Sequence, residues 1–136
     1  MYIGESGEDY LEALFILHRR GGNVRNVELA AFMNHSKPSI TNAVKELKKR
    51  GLAEKLDNGQ IVLTEEGFRI ASKIYERHCF FKSLLIEAGV DETKAQSEAC
   101  RMEHSISQDS FEKLRSELNK LRALEIDRSK SMEHRK

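Results

Sequence analysis

The stretch SKPSITNAVKELKKRGLAEKLDNGQIVLTEEG, residues 36–67, decides the fold. Ser36 is typical of a helix N-cap, Pro38 suits the first helical turn, and Gly51 is typical of the residue that ends a helix. The apolar residues between them recur at helical spacing, so they share one face: Ile40, Val44 and Leu47. A shorter helix is predicted just before this one, near Val27–Asn34. Two short helices joined by a tight turn predict a helix-turn-helix.

A β-hairpin is predicted directly after these helices. Two short alternating segments, Leu52–Leu56 and Gln60–Thr64, flank Asp57-Asn58-Gly59. Asn-Gly between such segments is a strong hairpin signal because both residues tolerate positive φ. A helix-turn-helix followed at once by a hairpin is the winged-helix arrangement.

Composition limits what else the chain can be. It has 136 residues, of which 39% are hydrophobic and 33% are charged, with a formal net charge of +1. This length suits one core, or two small subdomains that share a core, and the composition predicts a soluble globular protein. Because the net charge is small, nucleic-acid binding would need a local basic patch.

No segment predicts contact with a membrane. The longest apolar runs fall short of the roughly 18 residues that span a bilayer. The start, MYIGESGEDY, lacks the basic and apolar regions of a signal peptide. Cys79 and Cys100 are far apart in sequence, which favours reduced thiols over a disulfide framework. We therefore expect a cytoplasmic protein with no membrane partner.

A local basic patch does occur in the predicted second helix of the helix-turn-helix. Residues 36–50 hold five basic residues and one acidic residue, a local charge of +4. One interpretation is a solvated helix face. The other is DNA binding, in which small polar residues at the start of the helix approach base edges, lysines meet phosphates and the wing reaches the backbone or minor groove. The candidate DNA-binding residues are Ser36, Lys37, Ser39, Thr41, Asn42, Lys45, Lys48, Lys49, Lys55 and Asn58.

The rest of the chain is predicted to be helical, so the fold class is mainly α. A first helix is expected over Glu5–Arg20, a long one from a cap at Thr64 to about Ala88, and two more after caps at Asp91 and Ser107. Three amphipathic helices after a DNA-binding module most simply form a dimerisation domain. A dimer also places two recognition helices about 34 Å apart on a two-fold operator. We expect a winged-helix domain at 1–66 and a helical metal-binding and dimerisation domain at 67–136.

A metal site is one interpretation of EACRMEH, residues 98–104. If the segment is helical, its cysteine, glutamate and histidine share one face, although charged helices produce such sets by accident. Other segments add to the set. One histidine lies on the apolar stripe of the preceding helix, where a core histidine is the alternative interpretation, and the first helix has two acidic residues spaced i, i+3. The candidate ligands are Asp9, Glu12, His78, Cys100, Glu103 and His104.

With these residues in view, the chain resembles the DtxR/MntR family, the diphtheria-toxin-repressor-like metal-dependent transcriptional repressors. The resemblance runs through GEDYLEALFIL, SKPSITNAVKELKKRGL, GQIVLTEEG, Arg77-His78 and EACRMEHSIS. It implies a homodimer with an N-terminal winged helix and a helical dimerisation domain, which binds double-stranded operator DNA when loaded with Mn(II) or Fe(II). The chain ends before the SH3-like domain of the longer members, so a short form is expected.

The resemblance also assigns the ligands, and it places this chain between two branches. The residues that match the manganese-responsive pattern are Asp9, Glu12, His78, Glu103 and His104. Cys100 stands where that branch usually has glutamate and the iron-responsive branch has cysteine, while the iron branch usually has methionine at the position of Asp9. Lys82 and Gln96 occupy the places of two ancillary-site ligands of the iron branch, which argues against that second site. Because thiolate is the softer ligand, we expect Fe(II) slightly ahead of Mn(II) as the effector.

The expected role of the metal is that of a corepressor. Without a cation, three carboxylates and a thiol in one cluster should repel and push the first helix away from the dimer core, and a divalent ion should bridge the two. Two alternatives stay open at this point. One is a winged-helix protein with a structural Zn(II), and the other is a zinc-dependent hydrolase with Glu103 as general base.

Overall fold

The computed structural model describes residues 4–134, with side chains described for residues 6–131. Within this part of the chain there are six helices and one two-stranded sheet. The helices are α1 (Gly4–Arg19), α2 (Asn26–Met33), α3 (Lys37–Lys49), α4 (Glu65–Glu87), α5 (Glu92–Met102) and α6 (Gln108–His134). The strands are β1 (Ala53–Lys55) and β2 (Ile61–Leu63). The predicted mainly α fold with an N-terminal winged helix is confirmed.

The helix-turn-helix is formed by α2 and α3, and local hydrogen bonds fix its turn. Asn34 ends α2 in the left-handed region at φ 55°, and its successor His35 donates its backbone N–H to Ala30 O at 3.1 Å. Ser36 then caps α3, because its hydroxyl accepts from the N–H of Ser39. Only two residues therefore separate the left-handed cap from the first residue of the recognition helix.

The wing is the predicted hairpin, shortened by one residue at each end of each strand. β1 and β2 are antiparallel, with Ala53 opposite Leu63. In the turn, Gly59 has φ 86° whereas Asn58 does not have positive φ. The Asn58 side chain instead accepts from the backbone N–H of Gln60 at 2.9 Å. The turn therefore needs one left-handed residue, not the two that an Asn-Gly type I′ turn requires.

The start of α4 lies close against the wing. The hydroxyl of Thr64 accepts from the N–H of Gly67 and donates to Gly51 O at 2.7 Å. Gly67 is buried, and a Cβ at this position would collide with the carbonyl oxygen of Leu52. Glycine at 67 is thus required because the backbone of α4 packs closely against Leu52, the residue before β1.

The core of the winged helix surrounds α1. Its fully buried side chains come from α1, α2, α3, β2 and the residue before β1: Leu11, Leu14, Leu29, Ile40, Leu52 and Ile61. The side chain of His18, at the other end of α1, reaches Ile61 O with Nε2 at 3.0 Å. Helix α1 is therefore the central element against which both the helix-turn-helix and the wing pack.

The described residues up to His104 form one compact unit, and those from Ser105 onward form a second. The second unit contains α6, on which Leu114, Leu121, Leu124 and Ile126 are exposed by 39–56%. The domain boundary between residues 66 and 67 stays a prediction. Among the described residues, no helix is both long enough and apolar enough to cross a bilayer.

Candidate metal centre and nucleic-acid interface

All six predicted ligands lie in two adjoining groups of potential metal-binding atoms. The first group consists of Glu12, His78, Cys100 and Glu103, and the second of Asp9, Glu103 and His104. Within each group, one ligand atom from every member lies within 4.8 Å of the others. Glu103 belongs to both groups and is fully buried. Helices α1, α4 and α5 therefore converge on one acidic side chain.

The motif EACRMEH begins in α5 and ends just beyond it. Asp91 caps the start of α5, the helix ends at Met102, Glu103 is its C-cap and His104 lies beyond. Cys100 and Glu103 remain neighbours, with Sγ 3.9 Å from Oε1. Nε2 of His104 lies 3.3 Å from the same Glu103 oxygen, so the three side chains meet at the end of α5.

The imidazole of His104 lies between two carboxylates of α1. Its Nε2 is 2.7 Å from Asp9 Oδ1 and 3.3 Å from Glu103 Oε1. Its Nδ1, on the other side of the ring, is 2.8 Å from Glu8 Oε1. Glu8 therefore contacts the nitrogen that faces away from the ligand group.

His78 is held in a similar way within the first group. Its Nδ1 is 2.8 Å from Glu103 Oε2, and its Nε2 is 3.0 Å from Gln96 Oε1. Because an amide oxygen only accepts hydrogen bonds, Nε2 donates to Gln96. Both ring nitrogens of His78 thus contact polar side chains, and its role as a ligand stays a prediction. Lys82 lies elsewhere, with its Nζ 3.8 Å from Glu92.

Two further residues of the cluster were not predicted from the sequence. The buried Arg77 donates from Nε to the backbone oxygen of Glu103 at 2.9 Å, and its Nη2 lies 3.5 Å from Glu8 Oε2. Glu8 had a signal, because it is four residues before Glu12 and shares its helical face. The sequence contains no such signal for Arg77 except that it directly precedes His78.

Three members of this cluster have raised pKa values. Burial and, next, the adjacent Glu103 carboxylate raise the pKa of Glu12 to about 8. Hydrogen bonds with Cys100 and then Glu103 raise the pKa of His78 to about 11. For His104, burial disfavours the charged form, but hydrogen bonds with Asp9 and Glu8 outweigh it and raise the pKa to about 10. The raised pKa values favour imidazolium groups and a protonated Glu12, which offset the carboxylates. The expectation that repulsion forces the cluster open stays a prediction.

One buried atom of the cluster fits a missing cation. Among the described residues, Oε2 of Glu12 is a buried side-chain oxygen with no hydrogen-bond partner. Leaving a buried polar atom unpaired costs about 1–3 kcal/mol. This oxygen belongs to a group that also offers an imidazole, a thiol and a second carboxylate. Such a donor set suits Mn(II), Fe(II) or Zn(II), so the residues present fit a divalent metal.

The predicted DNA-binding residues lie on the exposed surface of α3 and the wing, with one exception. The exposed members are Ser36, Lys37, Ser39, Asn42, Lys45, Lys48, Lys49, Lys55 and Asn58. Thr41 is half-buried, where its hydroxyl donates to Lys37 O and accepts from Asn26. Arg50 pairs with Glu46 at 2.9 Å, which leaves the lysines as the source of positive charge on α3.

Sequence profiles of a known family match both parts of the chain. The profile of the iron-dependent repressor N-terminal DNA-binding domain matches residues 3–57, and that of the iron-dependent repressor metal-binding and dimerisation domain matches residues 64–124. The chain belongs to the iron-dependent repressor family. The family consists of transcriptional repressors, so the prediction of a repressor of the DtxR/MntR type is confirmed and the hydrolase alternative is wrong.

Individual relatives agree with this membership. An uncharacterized HTH-type transcriptional regulator of Methanocaldococcus jannaschii is 34% identical over 115 residues, which cover 83% of this chain and 92% of the relative. The transcriptional regulator MntR of Escherichia coli O6:H1 is 32% identical over 108 residues, covering 79% of this chain and 70% of the relative. The structure of the manganese regulator SloR superimposes with a TM-score of 0.74 at 29% identity, over 83% of this chain. The chain spans about half of the SloR chain, 53%.

Proposed function

We propose that this chain is a repressor that binds operator DNA as a homodimer when loaded with Fe(II) or Mn(II), and so controls metal-ion homeostasis in the cytoplasm. The observation that carries the proposal is the buried, unpartnered Oε2 of Glu12 within a group that also contains His78, Cys100 and Glu103. An oxygen in this position is stabilised by a cation, and its neighbours supply the remaining donors.

The hydrogen bonds support a specific assignment of the binding nitrogens. Nε2 of His104 faces Asp9 and Glu103, and Nδ1 of His78 faces Glu103, so these two nitrogens are the proposed ligands. The opposite nitrogens contact Glu8 and Gln96. Outer carboxylates and amides of this kind fix the tautomer and orientation of a metal-binding histidine. Because Glu103 belongs to both groups, it would help to hold a metal ion in either of them.

The residues of the cluster also explain how a signal arises. A bound divalent ion supplies charge that replaces the protons on Glu12 and the two histidines. Asp9 and Glu12 then hold the first turns of α1 against Glu103 at the end of α5. Because α1 is the central element of the winged helix, this contact fixes the DNA-reading elements relative to α5. By thermodynamic linkage, DNA binding raises metal affinity by the same factor.

Cys100 is the proposed determinant of metal preference. Its thiol lies in the same group as Glu12 and His78, where the manganese-responsive branch usually has a carboxylate. A softer donor favours Fe(II) relative to Mn(II), whereas Asp9 and Glu103 provide the oxygen ligands that Mn(II) prefers. We therefore place Fe(II) slightly ahead as the physiological effector.

The surfaces support the proposed partners. Lysines and small polar residues are exposed along α3, where phosphates and base edges of operator DNA would lie. On α6, the exposed leucines Leu114 and Leu121 are seven residues apart, so they lie on one helical face. A second copy of the chain would cover this apolar face in a homodimer.

A titration of DNA affinity with Mn(II), Fe(II) and Zn(II) in parallel, each with and without chelator, tests the proposal. The DNA probe is a duplex selected from a random pool by the metal-loaded protein, and circular dichroism reports folding. We expect the stripped protein to stay folded and to release DNA. Loss of helical signal on stripping would instead support the alternative of a structural Zn(II) site. DNA affinity that is independent of every metal would contradict the proposed function.

A further inference from the structure

We propose that the Tyr10–His35 contact transmits metal binding to the recognition helix, which makes both side chains positioning residues of the repressor. The inference rests on the proposed function and specifies how its metal site regulates DNA affinity. Tyr10 directly follows the candidate ligand Asp9 on α1, and His35 directly precedes Ser36, the N-cap of α3. One side-chain contact thus connects the metal-binding helix with the turn of the helix-turn-helix.

The contact is a defined one. The hydroxyl of Tyr10 and Nδ1 of His35 are hydrogen-bonded at 3.0 Å. The two rings also meet edge to face, with centroids 5.6 Å apart and an interplanar angle of 78°. Tyr10 is buried, at 8% exposure, although His35 is exposed. The hydrogen bond itself is part-buried, and a displacement of His35 away from Tyr10 breaks it.

Helix α1 moves both side chains together. Successive residues of an α-helix point about 100° apart, so Asp9 reaches His104 while Tyr10 reaches the helix-turn-helix. Leu11 and Leu14 are fully buried, which holds this part of α1 as a rigid rod in the core. A shift or rotation of α1 that brings Asp9 and Glu12 onto a metal therefore also moves the Tyr10 hydroxyl.

The turn between α2 and α3 passes a displacement of His35 on to the start of α3. Between α2 and α3 the chain has Asn34 in the left-handed region, His35 with its N–H bonded to Ala30 O, and Ser36 as the cap. These local bonds leave the turn little freedom to absorb a displacement of His35. The exposed Lys37 and Ser39 follow within one helical turn, so the start of α3 moves with His35.

The test measures the metal-driven gain, defined as the ratio of the DNA dissociation constants without and with Mn(II), for a duplex selected by the wild-type protein. Tyr10→Phe keeps the ring and removes the hydroxyl. Tyr75→Phe is the matched control, because its hydroxyl bonds Cys79 on α4. We expect Tyr10→Phe to lower the metal-driven gain about two- to tenfold, the factor that one hydrogen bond contributes. Mn(II) affinity without DNA, measured by calorimetry, should be unchanged.

Two further measurements identify the contact itself. His35→Ala should lower the gain as Tyr10→Phe does, and the double variant should be no worse than either single one, since both remove the same interaction. Hydrogen exchange should show that Mn(II) slows amide exchange at residues 34–37 in the wild type and not in Tyr10→Phe. His35→Asn, which keeps a polar group near the Nδ1 position, should show a larger metal-driven gain than His35→Ala.

The possible failures are distinct. A full metal-driven gain in Tyr10→Phe overturns the inference and leaves the proposed function standing. A loss of Mn(II) affinity without DNA also overturns it, because Tyr10 would then act on the metal site itself. A wild-type protein that shows no metal-driven gain overturns the proposed function, and the inference with it.

Discussion

The buried cluster around Glu103 and the exposed face of α3 are both polar, yet their side chains are held in opposite ways. In the cluster, His78, His104 and Arg77 each contact neighbouring polar groups at 2.7–3.5 Å. On α3, the lysines extend into solvent, and the cap Ser36 is engaged with Ser39. Side chains of the first region hold one another, and those of the second are presented to a partner.

The difference follows from what each region has to recognise. A divalent ion needs donors placed to within a fraction of an ångström, so the histidines must be oriented by Glu8 and Gln96 in advance. Phosphates are met by charge over a longer range, and lysine side chains adapt to them on contact. The buried cluster should therefore be sensitive to the loss of any one member, whereas substitutions on α3 should have graded effects.

The largest effect is expected at Arg77. Arg77→Ala removes the buried partner of Glu8 and of the Glu103 carbonyl, and breaking a buried pair in this way costs about 3–5 kcal/mol of unfolding free energy. Urea denaturation without metal measures it. Arg69→Ala on the same helix is the control, since its pair with Glu66 is exposed and should change stability little. If the two substitutions lowered the unfolding free energy equally, the buried cluster would be no more sensitive to the loss of a member than the exposed surface is.

The second-largest effect, on the metal dependence of DNA binding, is expected for Asp9→Ala. It should leave a folded dimer that no longer tightens on DNA when metal is added, a loss of about 1–3 kcal/mol of coupling between the two ligands. DNA affinity with and without Mn(II) is measured together with circular dichroism and dimer mass. Asp109→Ala, which removes an exposed carboxylate paired with Lys113, is the control. Full metal dependence in Asp9→Ala, or in His104→Ala, would show that the proposed ligand set is wrong.

On α3, Asn42→Ala separates base readout from charge. If Asn42 contacts a base edge, the substitution should cost about 1–3 kcal/mol at one operator position and relax the preference there. Lys48→Ala should instead weaken binding to all sequences alike and reduce the slope of log affinity against log salt by about 1. Selection of bound duplexes from a random pool, repeated at several salt concentrations, measures both. Unchanged preference and affinity in Asn42→Ala would exclude this residue from readout.

The smallest effect is expected for Cys100→Glu. Exchanging the thiol for a carboxylate should shift activation towards Mn(II) relative to Fe(II) by about 3- to 10-fold, since oxygen is the harder donor. The measurement is the metal concentration for half-maximal DNA binding, taken anaerobically for both ions. Cys79→Ser is the control, because Cys79 belongs to neither ligand group. A constant ratio would leave Mn(II) as the better assignment.

The sequence was informative wherever a local rule was sufficient. The caps Ser36, Thr64 and Asp91 marked the starts of three helices, and the segment around Gly59 marked the wing, because caps and turns depend on residues a few positions apart. The six candidate ligands were found by spacing and family resemblance. Helical spacing grouped Cys100, Glu103 and His104, and in the structure Oε1 of Glu103 lies 3.9 Å from Cys100 Sγ and 3.3 Å from His104 Nε2.

By itself, the sequence determined the element order, the basic face of α3 and the residue types of the metal centre, all of which are properties of single segments. The tertiary structure alone decided that Glu103 is shared between two ligand groups, that Glu8 and Arg77 support them, and that Tyr10 meets His35. These contacts join residues 25 to 96 positions apart in the chain. Burial between α1, α4 and α5 also raises the pKa of Glu12, and no single segment could bury that side chain by itself.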